Sequence, residues 1–258
     1  MKKLLLGAAV IAAMSISSNA NAQLVDEANV TITMDLQPIL QLNMTGPSNI
    51  DFVFDQISEY VGGITQYGAT SLQVSSTVSW DLYAVGFSST GATNWDQQVI
   101  YGGGADPNAF DIIPIELLEL RQDKANPFPG LATAFDDYNA AFVISPVTTG
   151  SNNIYASATP YVAPANGQKY IAGGNAAVLT AFVPGGSYLV AQAGVYGSGS
   201  NYYYTIDYRI VPGLPAIFPN AATNAGVDLD LVTVNGAGAY AQPGVYTMNV
   251  KYVLAENQ

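Results

Sequence analysis

The sequence predicts an all-β protein, an antiparallel β-sandwich with long loop insertions, from three observations. From Thr70 to Gly86, the residues Leu72, Val74, Val78, Trp80, Leu82 and Ala84 fall on one parity, broken only by Ser76. Ser75, Thr77, Ser79 and Asp81 fall on the other, so the stretch reads as one strand with a buried, Trp-bearing face and a wet one. Such a strand belongs to an antiparallel sheet whose apolar face needs a second layer. Charged residues are only 10% of the chain, against roughly 25% in an average soluble protein. Gly, Ser, Thr, Asn and Tyr take their place, a composition that suits strands and turns. Finally, the apolar runs total about nine or ten strand-like segments separated by turn residues, with no convincing helix among them.

The first 22 residues have the parts of an export signal: Lys2 and Lys3, an apolar run from Leu4 to Met14, and Ala20-Asn21-Ala22 ahead of Gln23. The apolar run is well short of the ~20 residues that span a bilayer, so a cleaved leader is expected rather than an anchor, with no membrane span afterwards. Cleavage leaves 236 of the 258 residues, enough for one large β domain over 23–258 with insertions around 85–110 and 145–167. Five Lys and Arg then face 19 Asp and Glu, a net charge of −14. No basic stripe exists to neutralise phosphates, which argues against nucleic acid as a partner. With no cysteine there is no disulfide and no thiol for lipid attachment.

Alternation starts at Val30, with Val30, Ile32, Met34, Leu36, Leu40, Leu42 and Met44 on one parity. Pro38 interrupts it and cannot donate to a ladder, so two short strands in one register are expected there. After the Thr45-Gly46-Pro47 turn, Ile50, Phe52 and Phe54 predict another strand. The stretch from Val85 to Phe110 has no period and reads as an excursion. Ile112 to Arg121 is expected as a strand, although Glu116 to Leu120 could also form a helical turn. Ala140 to Ile144, Ala177 to Val183, Ser187 to Val195 and Tyr202 to Val211 complete the middle, and Val245 to Leu254 is the last strand.

The absence of histidine removes Ser-His-Asp triads and imidazole-liganded zinc, and the absence of cysteine removes thiolate chemistry. Carboxylates remain. Glu116 and Glu119, three apart, would face opposite ways on a strand, and the adjacent Asp136 and Asp137 would also diverge. Asp228 and Asp230 share a strand face at roughly 6.5 Å, which suits a glycosidase-like pair or two calcium ligands; the plain alternative is a solvated edge. The glycines of Tyr196-Gly197-Ser198-Gly199-Ser200 lack the strand-to-helix switch of a phosphate loop. The 17 tyrosines could form a carbohydrate- or protein-binding face or serve cross-strand packing. Neither a catalytic residue nor a cofactor is expected.

The segment Pro243-Gly244-Val245-Tyr246-Thr247, leading into Val250 and Tyr252, resembles the closing strand of bacterial pilin-like and related cell-surface β-sandwiches. A Tyr just after a turn also fits a tyrosine corner, whose hydroxyl bonds back to the backbone. The resemblance covers the two ends of the chain. It implies an Ig-like or pilin-like sandwich at a bacterial cell surface or in the periplasm, without enzymatic activity, whose partners are further copies of itself or other surface components. Val30, Ile32, Met34 and Leu36 are then the candidate self-assembly strand, free to complete the open edge of a neighbour. Two other classes compete. A secreted carbohydrate-binding or carboxylate-based glycan-active protein would need a groove of converging carboxylates and exposed aromatics. An outer-membrane barrel would need strands of ~9–11 alternating residues and aromatic girdles.

Overall fold

The computed structural model describes residues 28–76, 80–102, 106–124, 137–142, 152–159, 169–172, 202–210 and 240–256. The chain divides at residue 38 into two units. In the first, residues 28–37 are described, and they form neither strand nor helix.

Strands hold 52% of the described residues of the chain and helices 6%, so the all-β expectation holds. The larger strands are β1 (Leu40–Thr45), β2 (Ile64–Ser76), β3 (Trp80–Phe87) and β4 (Asp96–Ile100). After the two-residue β5 (Ala109–Phe110) come β6 (Leu118–Lys124), β7 (Tyr155–Ala156) and β8 (Tyr170–Ala172). The chain closes with β9 (Tyr202–Ile210), β10 (Tyr240–Ala241), β11 (Gly244–Thr247) and β12 (Asn249–Glu256). One antiparallel sheet has the order β1-β2-β9-β6, and a second has β12-β3-β7 with β8 also on β3. Two ribbons, β4 with β11 and β5 with β10, sit apart from these sheets. The pairs β3–β7 and β5–β10 are parallel, each over two residues.

The stretch expected as one strand from Thr70 to Gly86 is two strands of different sheets. β2 ends at Ser76, where the parity breaks, and β3 starts at Trp80. The parity survives because both strands aim the same row at one core: Leu72 and Val74 from the first sheet, Trp80, Leu82 and Ala84 from the second. The Trp80 ring stands edge-on to Tyr204 of β9, with centroids 6.5 Å apart, and is fully buried as expected. The opposite face of β3 is not wet, however. Asp81, Tyr83 and Val85 are buried too, since β3 has neighbours on both sides and Tyr83 packs its ring on Tyr170 of β8 at 4.4 Å. A central strand covered on both faces loses its alternation.

Similar corrections apply elsewhere. Of the strands expected between Val30 and Met44, only β1 forms a ladder, with Leu40 opposite Ser76 through Thr45 opposite Ser71. Pro38 has no N–H to give, and the described residues before it form no strand. Ile50, Phe52 and Phe54 are half-buried while Asp51, Val53 and Asp55 are exposed, as the alternation requires, yet the segment joins no ladder. Its Asp51 carbonyl instead accepts from the Gln66 side chain at 3.2 Å.

A helix also exists against expectation, the short α1 (Ile57–Gly62). The Glu59 carboxylate accepts the N–H of Asp55 at 2.7 Å and of Gln56 at 2.9 Å, satisfying donors ahead of the first turn as in a capping box. Ile112 to Arg121 combines both readings, a 3₁₀ turn over Ile115–Leu117 followed by β6. The aperiodic stretch from Val85 to Phe110 contains β4 and β5, and the 145–167 connection contains β7. Val245 to Leu254 is split at Met248 between β11 and β12, which pair with β4 and β3 respectively. β9 matches its expected strand, with Tyr204, Ile206, Tyr208 and Ile210 buried on one parity. At Ala140 to Phe142 there is no strand; the rest of that segment, Ala177 to Val183, Ser187 to Val195, the Gly197–Gly199 turn, and Asp136 lie outside the described residues.

Candidate functional site

Two features are candidates for chemistry or recognition. The first is the N-terminal segment. Val30, Ile32, Met34 and Leu36 are 84, 87, 78 and 82% exposed. Four large apolar side chains are exposed together on a segment that forms neither strand nor helix, whereas exposed apolar residues are ordinary only when scattered.

The second feature is a charged layer on the outer face of the first sheet. In β6 and β9, the even-numbered residues Leu118, Leu120, Tyr208 and Ile210 face the core, so Glu119, Arg121, Asp207 and Arg209 point the other way. Antiparallel register sets Glu119 opposite Arg209 and Arg121 opposite Asp207, two complementary cross-strand pairs. Arg209 donates from Nε to the Glu119 Oε2 at 2.7 Å and from Nη2 to the same oxygen. Its guanidinium lies 4.6 Å from the centroid of the Phe142 ring, a cation–π contact. Arg121 and Asp207 approach to 3.6 Å. The other Asp207 oxygen accepts from Gly68 N at 2.7 Å. Gly68 has φ +59 inside the bulge where β2 shifts register against β9, a conformation that suits glycine.

This face is covered, and Glu119, Asp207 and Arg209 are buried. The segment 152–154 extends β6 sideways: Leu120 N donates to Asn152 O and Ile154 N to Leu118 O, both at 2.9 Å, with Glu119 opposite Asn153 in an antiparallel bridge. The Asn153 carboxamide donates to Glu116 O at 2.7 Å, and Lys169 Nζ donates to Asn153 O at 2.6 Å while lying 5.5 Å from the Tyr138 ring centroid. Asp137 accepts the Tyr170 N–H at 2.8 Å. Burial pushes the Lys169 ammonium down to about 8, against Asp137, Glu119 and Glu116. Burial raises the Glu119 carboxyl against the pull of Arg209 and Lys169, and raises Glu116 against its own N–H and Lys169.

Glu116 and Glu119, expected to diverge, therefore both act on Lys169. The 3₁₀ turn between them removes the strand geometry on which divergence rests. A sequence signal for the layer did exist. Glu119-Leu120-Arg121 and Asp207-Tyr208-Arg209 are charge–apolar–charge triplets that complement each other when antiparallel, in a chain with only seven Lys and Arg. Asp228 and Asp230, the calcium-pair candidates, lie outside the described residues. Among the described residues, no group of three or more carboxylates is placed to hold a metal ion, and no helix is long and apolar enough to cross a membrane.

The tyrosine-corner expectation has a local counterpart. The Tyr246 hydroxyl donates to Gln242 O at 2.6 Å and accepts from Gln97 Nε2 at 3.0 Å, the backbone-directed bond of a tyrosine corner. No protein-family model matches the sequence, and neither does any curated protein.

Proposed function

We propose that this chain is an exported, non-enzymatic structural or adhesive protein of a bacterial cell surface, an Ig-like or pilin-like β-sandwich that assembles by donating residues 30–36 to a neighbouring copy. The observation that carries the reading is the exposure of Val30, Ile32, Met34 and Leu36. Burying one such side chain is worth about 1.5–3 kcal/mol, so leaving four in water has a cost that a second subunit can recover. Among the described residues β1 is an end strand of its sheet and exposes Leu40 and Met44, which supports it as the acceptor edge. A donated strand would pair with such an edge through its backbone and cover those side chains with its apolar parity. Donation from each copy to the next is head-to-tail and propagates as a filament unless the rotation closes a ring.

The sandwich within this reading is supported by contacts between the two sheets. Trp80 of β3 meets Tyr204 of β9, and the Tyr208 hydroxyl of β9, which donates to Thr70 Oγ1 at 2.7 Å, also meets the Tyr252 hydroxyl of β12.

Light scattering of the mature protein, with and without Gln23 to Gln37, tests the assignment together with electron microscopy of the producing cells. Oligomers or filaments that vanish on deletion are expected. A mature protein that stays monomeric at high concentration, on cells without filaments, overturns it.

A further inference from the structure

We propose that the β4–β11 ribbon is a second contact between copies of this chain, a side-to-side face by which assembled filaments adhere to one another; the proposal rests on the assembly reading above. Among the described residues, β4 and β11 pair only with each other, and a two-stranded ribbon with no further layer is marginal in water. Tyr101 N donates to Pro243 O at 2.8 Å and carries the ladder one residue beyond β4. Val99 lies opposite Val245, so Val99, Tyr101 and Val245 share one face of the ribbon, and all three are exposed. Ile100 takes the other face, opposite Gly244, which has no side chain to cover it, and Ile100 is exposed as well. A Cβ at Gly244 would lie 2.3 Å from Val99 O, so the close approach of the two strands requires that glycine.

Charge decides what covers this face. Exposed strand edges ordinarily carry charged side chains that keep them from pairing with another chain. The end strands β6 and β12 follow that rule, with Glu119, Arg121, Asp123 and Lys124 on one and Lys251 and Glu256 on the other. The ribbon does not. Gln97 to Tyr101 and Ala241 to Val250 contain no charged residue, and the one charge of β4, Asp96, is buried against Ser89 and Thr90. In a chain with 19 acidic residues against seven Lys and Arg, two copies repel wherever their acidic surfaces meet, and a neutral apolar face is where they can touch. A cationic partner would be drawn to the acidic surface instead. β1 is uncharged too, but in the assembly the donated strand covers it. Ribbon against ribbon is an isologous contact. A few side chains alone do not offset the freedom that two subunits lose on pairing, whereas the same contact repeated along two filaments adds up.

Electron microscopy and differential pelleting of the assembled mature protein test the proposal, with Val53→Glu as the control, since Val53 is exposed and belongs to neither strand. Val99→Glu should leave filaments that stay single and should cut low-speed pelleting by roughly tenfold or more, the effect of losing one buried apolar side chain. Val53→Glu should leave the bundles intact. Bundling that survives Val99→Glu overturns the face, and so does its loss in both variants, because that is general charge repulsion. Wild-type filaments that never bundle overturn it as well. A second arm needs no filaments. The chain has no cysteine, so oxidation of Val99→Cys at high concentration reports on that position alone, and disulfide-linked dimers are expected for Val99→Cys well above the level of Val53→Cys. If filaments are absent, the assembly reading fails while these dimers still support the ribbon as a contact between copies. Dimers no more abundant than in Val53→Cys overturn it, with or without filaments.

Discussion

Arg209 and Glu119, separated by 90 positions in the sequence, meet through two N–H donors on a single carboxylate oxygen in the buried outer layer of the first sheet. Desolvating two charges costs several kcal/mol each, and the pair offsets this only while both partners are present. Glu119→Ala should therefore destabilise the protein by about 3–5 kcal/mol, because Arg209 is left buried and uncompensated. Replacing both, as Glu119→Leu with Arg209→Met, should recover most of the loss. Urea midpoints of the three variants check this, and a double variant no better than the single one would contradict it.

Trp80 is the largest fully buried side chain among the described residues. Its ring is fully buried against Tyr204, and truncating such a side chain costs about 3–5 kcal/mol. The urea midpoint of Trp80→Ala should fall accordingly. An unchanged midpoint would mean that the contact between the sheets contributes little.

Parity made Trp80 legible before the strands were known, and it hid the break beside it. Leu72 to Ala84 keeps one parity across a change of sheet because both sheets bury the same row, so periodicity reports which way a side chain faces and not which ladder its backbone joins. Ile50, Phe52 and Phe54 teach the same lesson, burying alternate residues with no ladder at all. Leu118 to Ile210 pairing, and with it the Glu119–Arg209 contact, depends on register between distant strands, to which the sequence points through the complementary triplets at 119–121 and 207–209 and not through periodicity. The Tyr246 bond to Gln242 spans four residues, and that closeness is why it could be anticipated.

Tyr246→Phe isolates that bond. The substitution removes the hydroxyl that donates to Gln242 O and accepts from Gln97 while keeping the ring. A net loss of about 0.5–1.5 kcal/mol is expected for a hydrogen bond of this kind. Equilibrium unfolding of the variant measures it, and no change would reduce the corner to a packing contact.

Asp96 predicts an acid-side weakness. Burial alone would raise its carboxyl, but the Thr90 hydroxyl at 2.8 Å and the Ser89 N–H at 2.6 Å outweigh it and hold the group below its ordinary 3.8. The unfolded chain then binds the proton more readily than the folded one, so this contribution is present above 3.8 and is lost as pH falls through the lower folded value. Asp96→Asn should flatten the stability profile below that pH. A profile parallel to the wild type would show that the turn at 88–92 does not depend on the charge.

The assembly reading makes a prediction that depends on parity. In a donated strand, Ile32 points into the neighbour and Thr33 points to solvent, because adjacent side chains face opposite ways. Both residues lie in the same exposed, unpaired segment, so in a lone subunit Ile32→Asp and Thr33→Asp should be equally harmless. Within an assembly they diverge. Ile32→Asp forfeits about 1.5–3 kcal/mol of burial and must also desolvate a carboxylate, so self-association should weaken by tenfold or more, each 1.4 kcal/mol being a factor of ten. Thr33→Asp should leave it nearly unchanged. Sedimentation velocity over a concentration series distinguishes the two, with thermal melts confirming that both variants fold as the wild type does. Equal weakening would point to general charge repulsion in a chain that is already acidic, and equal indifference would exclude residues 30–36 as the donated strand.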